Sequence, residues 1–197
     1  MIIILLVSII FVLSISFPKF IHKHNYVIYA ISGIITLIFS GEDANIITLG
    51  YVPLSYMIVV MYTGVFQKGF IKKRLMMVRA ENAIIGFIFL LSHAIGFLEF
   101  YLDYGNIFEN IVPLIGLAAF ILSIPLFVTS FRFIRKHFKY SEWKLLHKLA
   151  YLFYLLLLVH MILINNDRLI FYIFLFGVYF ILKFYDIQKS NKKTLKI

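Results

Sequence analysis

The chain has 197 residues, of which 62 % are hydrophobic and 14 % charged, against about 45–50 % and about 25 % in soluble domains. A soluble protein of this size has too little interior for so much apolar surface, so a water-soluble enzyme, a disordered tail and a secreted disulfide scaffold are excluded and the solvent is lipid. There is no cysteine and the net charge is +10, which excludes thiolate zinc sites, Cys-ligated clusters and C-x-x-C-H haem attachment and leaves any metal chemistry to histidine.

A hydrocarbon core of about 30 Å needs about 20 apolar helical residues, with about 17 tolerated. In chain order, seven stretches meet or approach this: 2–17, 26–39, 51–66, 83–101, 111–131, 143–164 and 169–184. The second is the shortest. Polar segments at 19–25, 41–50, 67–82, 102–110, 132–142 and 165–168 separate them. Barrel strands would be about 10 residues long with strict alternation, a pattern absent here. The expected fold is an all-α membrane bundle of about seven transmembrane helices. The first stretch has no basic segment before it and no small-x-small cleavage site, so it reads as a retained helix rather than a signal peptide.

Charge orients the bundle. Eighteen of the 19 Lys and Arg lie in the first, third and fifth connections and the tail, and only Arg168 lies opposite. Glu42, Asp43, Glu99, Asp103, Glu109 and Asp167 fall with Arg168. Cytoplasmic loops retain Lys and Arg, which predicts an N-terminus outside and a C-terminus in the cytoplasm; a cell (plasma) membrane is the expected location, although the charge pattern itself does not name the compartment. The positive charge therefore reads as a membrane face and not as a nucleic-acid site.

Of six histidines, His22, His24 and His137 sit in basic connections and read as interfacial residues. His93, His147 and His160 fall on apolar helices, where ionisable groups are functional candidates by default. At about 1.5 Å per residue, His93 lies ~20 Å and His160 ~25 Å along their outward-running helices, while His147 lies only ~6 Å in. Two histidines at matched depth make either a bis-histidine haem site or two interhelical hydrogen bonds. His147 falls ~140° around an ideal helix from His160 and does not share its face. Gly86, two turns before His93, leaves room for a flat ring or for a closely packed helix.

The segment Phe127-Val-Thr-Ser-Phe-Arg-Phe-Ile-Arg-Lys-His137, the run Trp143-Lys-Leu-Leu-His147-Lys-Leu-Ala-Tyr151 and His160 resemble the ferric-reductase-like transmembrane domain. Within that group they are most similar to the MsrQ/YedZ haem-binding membrane proteins. Lys73, Arg74, Arg79, Gly86 and His93 extend the resemblance, which covers roughly residues 50–185. It implies a six-helix core holding haem b, one or two; the further helix that precedes those six in this chain departs from the family pattern. It also implies that residues 1–49 are an N-terminal unit, 50–185 the haem-binding core and 186–197 a basic cytoplasmic tail. By the same resemblance His93 and His160 are outer ligands and His147 an inner or alternative one, with His22 or His24 as conceivable partners of His147. Arg79 stands where wider relatives carry a further histidine, and an arginine keeps its proton and does not ligate iron. It is then a membrane-interface anchor or a propionate partner.

No G-x-G-x-x-G fingerprint is present, and 185–197 is too short for a flavin or nicotinamide domain. The resemblance implies electrons supplied at the cytoplasmic side by a flavoprotein reductase or a membrane quinol, carrying flavin or quinone. It implies an acceptor at the outer face, a redox protein or a metal ion. A non-redox transporter or channel and a cofactor-free scaffold subunit are the other readings. Pro53, Pro113 and Pro125 are not arranged as the matched broken helices of a transporter repeat.

Overall fold

A computed structural model describes residues 2–40, 45–66, 68–104, 109–164 and 166–194. Glu42, Asp43 and Lys196 lie outside them, and Asp103, Lys192 and Lys193 lie outside those whose side chains are described. Among the described residues there is no strand. The chain runs α1 Ile2–Ser16, α2 Pro18–Lys23, α3 Asn25–Phe39, α4 Tyr51–Thr63, α5 Phe70–Met77 and α6 Arg79–Tyr104. It continues through α7 Ile111–Val128, α8 Arg132–Arg135, α9 Tyr140–Leu146, α10 Leu149–Ile164, a 3-10 turn Asn166–Arg168 and α11 Leu169–Thr194.

Each of the seven expected apolar stretches is helical. Four are long and apolar enough to cross a membrane: Arg79–Glu99, Ile111–Val128, Tyr140–Ile164 and Leu169–Lys189. Ile2–Ser16, Asn25–Ser40 and Tyr51–Thr63 are shorter apolar helices. This is an all-α membrane protein.

Of the helices formed by the seven stretches the shortest is α4, with 13 residues, and not the second, α3, with 15; α4 rises about 20 Å. Nine of its residues are buried, from Pro53 to Thr63, as expected of a helix apolar on every side. It packs on α6 and α1, and the Tyr62 hydroxyl donates to the Leu175 carbonyl of α11 at 2.7 Å. The main core gathers Leu54, Met57 and Met61 of α4 with Phe87 of α6, Phe153 and Tyr154 of α10, and Tyr172, Phe176 and Tyr179 of α11. Three hydroxyls are satisfied by the carbonyl one turn back. Ser55 donates to Tyr51, Thr63 to Val59 and Thr129 to Pro125, at 2.8, 2.7 and 2.6 Å, which pairs these donors in an interior without water; Ser92 Oγ on α6 is the exception among the described residues.

Two polar ties bind α1. Asn82 Nδ2 at the start of α6 donates to Ser14 Oγ at 2.9 Å in a buried contact. Arg74 Nη1 on α5 donates to the Ile15 and Ser16 carbonyls at 2.7 and 3.3 Å. It thereby satisfies orphan acceptors at a helix C-terminus, where a cation is also favoured by the helix dipole.

Two elements differ from the sequence reading. The stretch 143–164 is interrupted at His147 and Lys148, between α9 and α10, so the angle expected between His147 and His160 on one ideal helix does not apply. The tail beyond 185 continues as helix through Thr194, because Lys and Gln are good helix formers and nothing there breaks the pattern.

Candidate functional site

His93 projects from α6 and His160 from α10, and their rings lie 6.4 Å apart between centroids at an interplanar angle of 78°. The Nδ1 atom of His93 is 2.7 Å from the Thr48 carbonyl, in the turn before α4. The Nδ1 atom of His160 is 3.1 Å from the Val112 carbonyl, in the first turn of α7. A carbonyl only accepts, so Nδ1 carries the proton in both rings, and Nε2 is left as the nitrogen with a lone pair in the neutral imidazole. This is the tautomer and the outer hydrogen bond that metal-ligating histidines use.

The spacing can be tested against a metal. With metal–imidazole bonds of roughly 2.0–2.1 Å and about 1.1 Å from ring nitrogen to centroid, two imidazoles on opposite sides of one ion have centroids about 6.3 Å apart. The observed 6.4 Å is compatible with that spacing and equally with an edge-to-face contact of the two rings. Two imidazoles with their lone pairs on Nε2 fit the donor set of a bis-histidine haem.

Glycine makes room for both rings. A Cβ on Gly116 of α7 would lie 2.7 Å from His160 Cε1 and 3.1 Å from its Nδ1. A Cβ on Gly50 would lie 3.1 Å from His93 Nδ1, and Gly50 has φ +78°, a left-handed value that other residues adopt at a cost. Phe97, one turn beyond His93, packs its ring at 4.9 Å.

The other expected site residues lie elsewhere. His147 caps the end of α9. Its Nε2 is 3.1 Å from Thr129 Oγ1, whose own proton goes to the Pro125 carbonyl. The hydroxyl oxygen therefore accepts, and His147 carries its proton on Nε2, the opposite tautomer from the pair. Its ring packs on Trp143 at 4.2 Å, and the Arg135 guanidinium covers Trp143 at 4.1 Å.

Arg79 opens α6, and its Nη2 is 3.9 Å from where a Cβ on Gly64 would stand. Gly64 is the C-cap of α4, a position that favours a cation. Gly86 faces α4: an added Cβ would lie 2.8 Å from Tyr56 Cβ and 3.2 Å from Met57 Cε. Of the two uses open to Gly86, the structure shows the close helix contact.

His22 is not a free interfacial residue, and its ring is engaged by Glu81 and Arg132. Its Nδ1 is 2.5 Å from the carboxylate of Glu81, which is only 3 % exposed, and Arg132 donates to its Nε2. His24 packs instead on Phe20 at 4.7 Å. Sequence reasoning passed over Thr48, Gly50, Val112 and Gly116. Only the glycines left any signal, and that signal is shared with every tight turn and helix contact.

The model of the family described as ferric reductase like transmembrane component matches residues 45–158, more than half of the chain. The chain belongs to this ferric-reductase-like transmembrane family. An uncharacterized protein of Treponema pallidum (strain Nichols) is similar to it, 34 % identical over 109 residues, which are 52 % of this chain and 30 % of that protein. The chain thus spans less than a third of the length of this curated relative. No solved structure matches. The ferric-reductase-like segment opens on the turn that holds Thr48 and Gly50 and includes His93, Gly116 and His147, while His160 lies two residues beyond its end.

Proposed function

We propose that this chain is a haem b protein that passes electrons across the membrane, and that His93 and His160 would hold one haem. The observation that carries the reading is the pairing of two imidazoles from α6 and α10 at 6.4 Å, each tied through Nδ1 to a backbone carbonyl. Bound haem supplies one-electron redox chemistry. The chain's own part is to present two ring nitrogens at a set spacing, to hold their tautomers through Thr48 and Val112, and to keep water out. A haem held by both imidazoles would supply electron transfer rather than oxygen activation.

The basic face, with Arg132, Arg135, Lys136, Lys139 and Lys144 on the α7–α9 connection, is the cytoplasmic side in this reading, and the membrane is the plasma membrane. The donor there is a flavoprotein reductase or a membrane quinol. The acceptor, a redox protein or a metal ion, meets the opposite face near Glu99 and Glu109. Arg79 is an anchor at the end of α4. His147, with Nε2 committed to Thr129, orders the α9–α10 break and is not a ligand of this haem.

The test is an absorption spectrum of detergent-purified protein, oxidised and then reduced with dithionite. Paired α and β bands are expected, with loss of most of the signal in His93→Ala and in His160→Ala and retention in His147→Ala. A colourless protein from haem-supplemented cells refutes the reading, and full haem content in both of the first two variants refutes the ligand assignment.

A further inference from the structure

We infer that Gly116 and Gly50 are positioning residues for the histidine pair, each acting with a carbonyl of its own segment to fix the imidazole it backs. The inference rests on the haem reading above and deepens it. Each ring is held in the same way from a separate element. His160 is tethered to Val112, four residues before Gly116, and His93 to Thr48, two residues before Gly50. One short stretch of backbone therefore supplies both a hydrogen-bond acceptor for Nδ1 and a surface without a side chain against the same ring.

The distances show why alanine would not serve. At Gly116 a Cβ would stand 2.7 Å from Cε1, 3.1 Å from Nδ1 and 3.3 Å from Nε2 of His160. A Cβ is fixed to the backbone and an imidazole is rigid, so the ring has to move. The Nδ1 tether to Val112 lies on the same helix, one turn back, so relief of the clash displaces the ring from its acceptor. Gly116 also lies inside α7, where glycine is less favourable than alanine. Local helix energetics oppose glycine here, and close approach of His160 is what favours it.

At Gly50 the contacts are 3.1, 3.2 and 3.4 Å to Nδ1, Cε1 and Cγ of His93. Alanine there would also strain the turn. Asparagine tolerates the left-handed conformation, so Gly50→Asn places a Cβ against His93 with little backbone penalty.

The experiment titrates haemin into detergent-purified apo forms of the wild type, Gly116→Ala, Gly50→Asn and Gly96→Ala. It reads affinity, the spectrum and carbon monoxide binding to the reduced form. Gly96, also on α6, has nothing within 4 Å of an added Cβ and is the control. Loss of the outer support of a metal ligand weakens binding about 10- to 100-fold, and that loss is expected in Gly116→Ala and Gly50→Asn but not in Gly96→Ala. Both variants should gain carbon monoxide binding that the six-coordinate wild type lacks, because a displaced imidazole leaves a coordination position open. Helical circular dichroism of the apo forms accompanies each titration. Should Gly116→Ala lose its helicity, Gly50→Asn alone decides. Wild-type affinity and spectrum in a folded variant overturn the positioning role while leaving the haem reading intact. A wild type that binds no haemin overturns both.

Discussion

Gly86 and Gly96 lie on the same helix, α6, and alanine at each tests how tightly α6 packs against α4. Both substitutions gain helix propensity, about 1 kcal/mol in a helix interior, and this gain is common to the two. They differ in space. At Gly96 an added Cβ meets nothing within 4 Å, whereas at Gly86 it would stand 2.8 Å from Tyr56 Cβ and 3.2 Å from Met57 Cε. The Tyr56 atom is itself a Cβ and cannot swing away, so relief requires the two backbones to part by about 0.5–1 Å. The far side of α4 resists that movement, through α1 and through the Tyr62 bond to Leu175. Overpacking of this kind costs about 1–3 kcal/mol. The expected result is that Gly96→Ala is neutral or stabilising and Gly86→Ala lies about 1–3 kcal/mol below it. The assay is thermal unfolding of detergent-purified variants followed by helical circular dichroism and compared at one temperature. Equal stabilities would show that the seam has slack and would refute the close-packing role given to Gly86.

Two further substitutions probe polar groups away from the histidine pair. His22→Ala leaves the buried Glu81 carboxylate without its 2.5 Å partner and should destabilise by about 3 kcal/mol, the low end for breaking a buried pair, because the His22 side chain remains 27 % exposed. Glu81→Gln keeps a hydrogen-bonding oxygen and should cost less than half as much in the same melt, and the reverse order would show that Glu81 is not held by His22. Ser92 Oγ is buried without a hydrogen-bond partner, an arrangement that carries a penalty of about 1–3 kcal/mol. Ser92→Ala should therefore leave the melting temperature unchanged or raise it, and a clear fall would show that the hydroxyl is satisfied.

The apolar stretches were legible because lipid makes one demand of a spanning helix, a run of side chains that need no water, and such a run is visible without knowing its neighbours. The juxtaposition of His93 and His160 followed from counting rise per residue on two helices. Other features have no local signature. The break between α9 and α10 carries neither Gly nor Pro, and it lies where Thr129, the C-cap of α7, takes the His147 side chain. His22 and Glu81 are 59 residues apart and each looks like an ordinary loop charge until the bundle closes. Gly50 and Gly116 matter for what lies opposite them, and that partner is fixed only by tertiary packing. The carbonyls of Thr48 and Val112 are backbone groups, so their role is written in no particular side chain.

The segments before residue 50 bear on the haem reading more directly than their place at the margin of the resemblance implies. The sequence boundary at 49/50 marks where the resemblance begins, but packing does not stop there. α1 lies on α4 and is tied to α6 through Ser14 and to α5 through Arg74. α3 lies along α6, and the Thr36 hydroxyl reaches the Ile88 carbonyl at 3.5 Å. The turn from Asn45 to Gly50, which joins α3 to α4, places Thr48 and Gly50 against His93. One imidazole of the pair is thus oriented by the connection that the N-terminal helices hold in place. A shift of α3 along α6 would move the carbonyl that fixes the proton of His93. The first three helices therefore belong to the same mechanical unit as the histidine pair, and their contacts bear on whether His93 keeps Nε2 free.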